Sequence, residues 1–365
     1  MTRSSQALFT PFSILTAGGK GLTLPNRIVM APMTRSSSPG GVPGEDVAAY
    51  YSRRAAGGVG LIITEGTYPP DPAAGFDPKV PRLHGEAALN GWRRVVDQVH
   101  AAGGHIFSQI WHLGLQVSSG PPPPEGAHPV GPSGEHAMTQ KQIDTAIHAY
   151  AQAARSAQEA GFDGVELHAA HGYLIDQFFW EKTNQRTDRY GGDLVARTRF
   201  AVDVIHEVRK RVGPDFPVGL RFSQWKIGDF DAKLAATPRE LELFLRPLVD
   251  AGVDVLHCSS RRFWEPEFEG SNLNLAGWAK KLTGKPSITV GSVTLGADLM
   301  TSFGSQEAIL VTGIDELLDR LERGEFDLVA VGRALIANPE WAEQVKTGAL
   351  DRLRPFDRGL LTSLH

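Results

Sequence analysis

Residues 143–168 read IDTAIHAYAQAARSAQEAGFDGVELH, and this stretch holds the repeating unit of the chain. Ile143, Ile147, Tyr150 and Ala154 recur at the spacing of one helical face, which predicts an amphipathic α-helix. Gly161 follows, and a glycine just past a helix end supplies the left-handed residue that closes the last turn. Gly164–His168 is then an apolar run of strand length.

The same unit recurs on either side. Runs of strand character stand at Arg27–Ala31, Val59–Thr64, His105–Ile110, Gly164–His168, Pro217–Phe222, Val253–Cys258, Ser287–Val290 and Leu328–Val331, eight in all. Helical stretches fall between them, one marked by Phe200, Val204, Ile205 and Val208. The glycine punctuation repeats at Gly57-Gly58, Gly103-Gly104 and Gly252. Strands joined through helices require crossovers and so form a parallel sheet. Eight such units with no break in composition predict an α/β fold closed into a single (β/α)8 TIM barrel, one domain over residues 1–365. After the first strand comes Pro32-Met33-Thr34-Arg35 rather than G-x-G-x-x-G, which argues against a Rossmann domain. Residues 8–25 predict a short N-terminal hairpin or coil across the barrel bottom. Three long loops, 112–138, 169–192 and 259–271, follow strand C-termini, the face on which barrel enzymes build their sites.

Composition narrows the partners. Of 365 residues, 37 are basic and 41 acidic, a formal charge of -4, and no basic run points to nucleic acid or an anionic membrane. No apolar run approaches a membrane span, and Met1 to Thr10 lacks a signal-peptide pattern, so a cytoplasmic protein is expected. Cys258 is the sole cysteine, which excludes an internal disulfide, a Cys-rich zinc site and an iron–sulfur cluster.

The fourth strand ends in Glu166-Leu167-His168-Ala169-Ala170-His171-Gly172-Tyr173. Two histidines can ligate a metal, but no third ligand is evident nearby, and no metal is expected. Neutral imidazoles could instead donate to a substrate oxygen, with the Tyr173 phenol as proton donor. A pair of satisfied histidines in a polar loop is the plain structural alternative.

Other strand ends carry a family resemblance. Leu24-Pro25-Asn26-Arg27-Ile28-Val29-Met30-Ala31-Pro32-Met33-Thr34-Arg35 resembles the opening of Old Yellow Enzyme-type flavoproteins. Ser108-Gln109-Ile110-Trp111-His112, His168-x-x-His171-x-Tyr173 and the run from Thr183 to Gly192 resemble later motifs of that family. Arg221, Val290-Gly291-Ser292 and Val331-Gly332-Arg333 continue the series, which runs from about residue 8 to residue 341.

The resemblance implies an FMN-dependent ene-reductase that consumes NAD(P)H and reduces the activated C=C bond of an α,β-unsaturated carbonyl or nitro compound. FMN would lie on Ala31, Pro32, Met33 and Thr34. Gln109 and Arg221 would face its ring, and Gly291, Ser292, Gly332 and Arg333 its phosphate. His168 and His171 would hold the substrate oxygen, Tyr173 would donate the proton, and Trp111 would line the substrate pocket; the Tyr68-Pro69-Pro70 and Arg261–Trp264 segments have pocket-lining potential of their own, with solvent-facing loop packing as the alternative. Departures from the family pattern are His171, where many relatives have asparagine, Thr34 in place of a subgroup's cysteine, and Phe356 as the one aromatic residue where many relatives carry two. The competing readings are a non-flavin barrel enzyme acting on a phosphorylated substrate and a flavin-binding sensor. The physiological substrate, the choice between NADPH and NADH, and the oligomeric state are not specified by the sequence.

Overall fold

The computed structural model describes residues 4–117, 121–297 and 312–365. A hairpin, β1 (Phe12–Leu15) and β2 (Gly21–Leu24), precedes the barrel. Eight parallel strands then close on themselves in chain order: β3 (Ile28–Met30), β4 (Leu61–Thr67), β5 (His105–Ile110), β6 (Gly164–His171), β7 (Val218–Lys226), β8 (Val255–Ser259), β9 (Ser287–Val290) and β10 (Leu328–Val331). Closure is made by β10 pairing with β3, Val329 opposite Ile28 and Val331 opposite Met30.

Helices fill the crossovers and follow the last strand. They are α1 (Glu45–Ala56), α2 (Glu86–Ala101), α3 (Gln140–Glu159), α4 (Leu174–Phe179), α5 (Arg199–Val212), α6 (Pro238–Asp250), α7 (Leu275–Thr283), α8 (Asp315–Glu322), α9 (Arg333–Ala337) and α10 (Trp341–Lys346). Local chemistry sets several starts. Thr139 and Gln142 form a capping box at α3, and Thr237 and Glu240 form one at α6, each satisfying backbone N–H groups that the helix cannot. Among the described residues no helix is long and apolar enough to cross a membrane.

The strand period of two sorts the side chains. Val29, Ala31, Leu61, Ile63, Phe107, Val255, Ile288, Leu328 and Ala330 point into the barrel and pack together. Their neighbours Ile28, Met30, Ile62, Ile106, Leu256, Val329 and Val331 face outward and join the larger core under the helices. Ile14 and Leu24 of the hairpin, both fully buried, belong to the inner cluster and plug the N-terminal end of the barrel, as the hairpin expectation required.

Four strands run past their expected ends: β4 reaches Thr67 rather than Thr64, β8 reaches Ser259 rather than Cys258, and β6 and β7 extend furthest at the mouth. Gly164–His168 was expected to stop at His168, but β6 continues to His171, and β7 continues from Phe222 to Lys226. The register between them shifts between Ala169 and His171, a bulge that bends the paired strands over the barrel mouth. The expected loop 169–192 therefore begins with strand and also contains α4.

Candidate active site

The inward parity that buries Phe107 and Val255 continues toward the strand C-termini with polar side chains. Gln109 pairs in register with Glu166, His168 with Arg221, and Arg221 with His257. All five are buried. Gln109 donates to Glu166 Oε1 at 2.8 Å, and Glu166 Oε2 lies 2.7 Å from His257 Nδ1. Burial pushes the Glu166 carboxyl up, but the paired His257, the Arg221 charge and these hydrogen bonds outweigh it and hold the group below the usual carboxylate range. A polar layer thus sits above the apolar barrel core and beneath an open cavity.

That cavity is about 550 Å³ and lies at the C-terminal end of the barrel. Its walls bring together Ala31, Pro32, Met33, Thr34, Gln109, Trp111, His168, His171, Tyr173, Arg221, Gly291, Ser292, Gly332 and Arg333. Every sequence-predicted site residue but one is in this set. Tyr68 is the exception. It packs against Trp111 with ring centres 5.7 Å apart and lines a smaller neighbouring cavity of about 170 Å³, which also touches Thr34, Trp111 and Tyr173.

His168 and His171 meet edge to face at 5.1 Å, and Tyr173 stands 4.9 Å from His168. The β6–β7 bulge produces this convergence. His171 adopts φ 65, a left-handed conformation that β-strand residues avoid, and the following Gly172 has φ 83. Asp176 and Lys226, both fully buried and 2.8 Å apart, brace the turn, Asp176 accepting from Gly172 N at 2.7 Å. The other non-glycine residues with positive φ among those described are Ser36, Ser292 and Thr294. Ser292 lines the cavity, Ser36 lines its smaller neighbour, and Thr294 lies between the cavity residues Val293 and Leu295. Strained backbone is thus concentrated at this rim.

Protonation states follow from burial. Burial, then the Arg221 charge, holds both His168 and His171 well below the ordinary histidine range, so both are neutral imidazoles. Ala170 N donates to His168 Nδ1 at 3.4 Å, which leaves the proton on Nε2 as a free donor. His171 Nε2 lies 2.8 Å from Ser259 Oγ, and Arg221 Nη2 donates to the same hydroxyl at 3.2 Å. Arg221 already donates to the Ser259 hydroxyl, and with that hydroxyl's own proton directed to His171 Nε2 the His171 proton sits on Nδ1 as a second free donor. Burial pushes the Tyr173 phenol up to about 12 against the pull of Arg221, so it stays protonated.

Several cavity residues escaped the sequence reading. Trp225 stacks on His171 at 4.4 Å, Ser259 orients His171 and Arg221, and Leu361 comes in from the C-terminal segment beside Phe356, the aromatic residue the family resemblance had pointed to. Ser259 has a signal in hindsight, since it shares the inward parity of Val255 and His257. Trp225 has none, because it lies beyond the expected end of its strand.

The donor set fits a planar, anionic, acceptor-rich group such as FMN. Arg221 is a buried cation whose Nε has no hydrogen-bond partner, and it opens onto the cavity. Gly291, at φ 137, packs against the neighbouring loop so closely that a Cβ would stand 2.8 Å from Ser260 O, so this stretch of the cavity wall keeps its shape only with glycine. Arg333 is buried at the far wall, above the Phe356 ring at 5.9 Å.

Comparison with known proteins agrees with this geometry. The NADH:flavin oxidoreductase / NADH oxidase family model matches residues 7–352. A NADH oxidase of Thermoanaerobacter brockii is 35% identical over 94% of this chain, which spans only 52% of that relative. 12-oxophytodienoate reductase 2 of Arabidopsis thaliana is 33% identical, with 95% of this chain and 90% of the relative covered. The solved Old Yellow Enzyme homologue from Zymomonas mobilis superposes with a TM-score of 0.78 at 28% identity, covering 97% of this chain and 96% of that one.

Proposed function

The chain belongs to the NADH:flavin oxidoreductase / NADH oxidase family, and on that premise we propose that it is an FMN-dependent, NAD(P)H-consuming reductase of activated C=C bonds in α,β-unsaturated carbonyl or nitro compounds. The observation that carries this reading is the convergence of two buried neutral imidazoles and a protonated phenol on one cavity floored by a buried arginine. FMN, when bound, supplies hydride exchange between the nicotinamide and the electron-poor carbon. Arg221 and Gln109 would hold its ring edge, Ala31 to Thr34 its face, and Arg333 with the Gly291, Ser292 and Gly332 backbone its phosphate.

The protein's own part is positioning and charge. His168 Nε2–H and the His171 ring would donate to the substrate oxygen, polarising the double bond and stabilising the negative charge that develops on that oxygen. Being neutral, they act as hydrogen-bond donors and transfer no proton to that oxygen. Tyr173 would give its phenolic proton to the α-carbon, so the bond gains a hydride and a proton in balance. Trp111, edge-on to Tyr173 at 5.0 Å, would wall the substrate side. 12-oxophytodienoate reductase 2, a relative, is named for reduction of an oxo-compound, which supports this substrate class.

The test is anaerobic. Protein reconstituted with FMN should show flavin absorbance, bleach with NAD(P)H, and recover on addition of a cyclic enone or nitroalkene. Failure to retain flavin, or bleaching that none of these acceptors reverses, would overturn the reading.

A further inference from the structure

We infer that His100, His105 and Asp163 form a binding site for a divalent transition-metal ion of the zinc class at the N-terminal end of the barrel. Three separate elements supply the ligands. His100 lies in the last turn of α2, His105 opens β5, and Asp163 immediately precedes β6. His100 Nε2 is 2.8 Å from one Asp163 carboxylate oxygen and His105 Nδ1 is 3.2 Å from the other. One ligand atom from each of the three residues lies within 4.8 Å of the other two. Zinc bonds of about 2.0–2.1 Å put tetrahedral ligands about 3.3 Å apart, which the 3.2 Å His105 pair already matches and the 2.8 Å His100 pair reaches by opening about half an ångström. His100 is partly exposed at a helix end, and a modest rotation of its ring closes the remaining span. Two imidazoles and a carboxylate, with water completing the shell, suit zinc and its neighbours rather than magnesium or calcium.

The surroundings hold the ligands as a metal site requires. Ile106 N donates to Asp163 Oδ2 at 2.8 Å, fixing the carboxylate. The His105 ring is hydrogen-bonded on its far side to the Thr23 backbone, so Nδ1 is the nitrogen turned to Asp163. Ligating histidines usually carry such a partner on the second nitrogen. Among the described residues this is the one group of three such side chains whose ligand atoms come this close. The sequence reading expected no metal, because the three ligands follow no local spacing.

The ion would tie the α2–β5 turn to the α3–β6 turn, at the opposite end of the same strands from the catalytic cavity. It would therefore stabilise the fold without entering the reaction. The test is a calorimetric Zn²⁺ titration of tag-free, FMN-loaded protein beside His100→Ala and Asp163→Asn. Expected are one zinc per chain, at least tenfold weaker binding in both variants, and a zinc-induced rise in Tm that His100→Ala loses. Enone reduction by His100→Ala should equal that of the parent, which keeps this test independent of the proposed activity. Equal zinc binding by parent and His100→Ala, or no binding at about 100 µM zinc, would refute the site.

Discussion

At the scale of single residues, Tyr173 and Glu65 make the sharpest claims. Tyr173→Phe keeps the ring that packs on Trp111 and His168 but removes a proton held in place by a pKa near 12. Reduction of the bound flavin by NAD(P)H needs no such proton, whereas saturation of an enone does. Enone-driven reoxidation should therefore slow by about 10²–10⁴-fold while flavin reduction is nearly unchanged. Stopped-flow kinetics separates the two half-reactions, and the reverse pattern would remove Tyr173 from the proton-donor role. Glu65 lies outside the cavity but holds its rim, accepting from Arg35 N at 2.9 Å and Ser36 N at 3.1 Å. Burial raises its carboxyl to about 7 despite those bonds. Between about pH 4.5 and 7 the folded state keeps a proton that the unfolded chain releases, so this group's contribution falls as pH rises through that window. Glu65→Gln retains an acceptor for both amides and removes the titration. The Tm of the variant, relative to the parent, should rise between pH 5 and pH 8; parallel Tm profiles would show that Glu65 does not titrate in that window.

At the scale of elements, the strand ends carry the chemistry. The β6–β7 bulge turns His171 onto His168, and the buried Asp176–Lys226 pair holds that bend against the rest of the barrel. At the end of β9, Gly291 has φ 137, and a Cβ there would meet Ser260 O at 2.8 Å and the Arg261 carbonyl carbon at 2.9 Å. Both contacts are backbone and cannot swing aside. Gly291→Ala should cost about 1–3 kcal/mol in local strain and reshape the proposed phosphate wall. Fluorescence titration with FMN is expected to show at least tenfold weaker binding, with far-UV circular dichroism preserved. Parent-like affinity would mean that this backbone does not approach the cofactor.

At the scale of the molecule, the C-terminal segment folds back over the barrel mouth. Phe356 is almost fully buried and lines the cavity together with Leu361. Arg35, next to Thr34, donates to the carbonyls of Leu360, Leu361 and Ser363, and Asn338 pairs with the Arg354 backbone. The barrel closes without this strap, since β10 already pairs with β3. Removal of residues 354–365 should therefore leave a cooperatively folding barrel that releases FMN more readily. Ultrafiltration followed by absorbance of the filtrate measures that release, and undiminished retention would reduce the strap to surface packing.

The sequence by itself determined the barrel. Strand and helix periodicity and helix-ending glycines are local patterns, and they placed β5, β9 and β10 at their observed limits and gave the closed parallel order. It also brought together most of the site, because residues at successive strand C-termini must share one rim once the barrel closes. Only the tertiary structure decided how those residues are held. Glu166 and His257 lie 91 residues apart, and Ser259 reaches His171 across 88, so neither contact leaves a trace in local spacing. The bulge that extends β6 and β7, the neutrality of His168 and His171, and the arrival of Phe356 all follow from register and burial. Those are properties of packed neighbours, and a chain acquires them only when distant segments exclude water from one another.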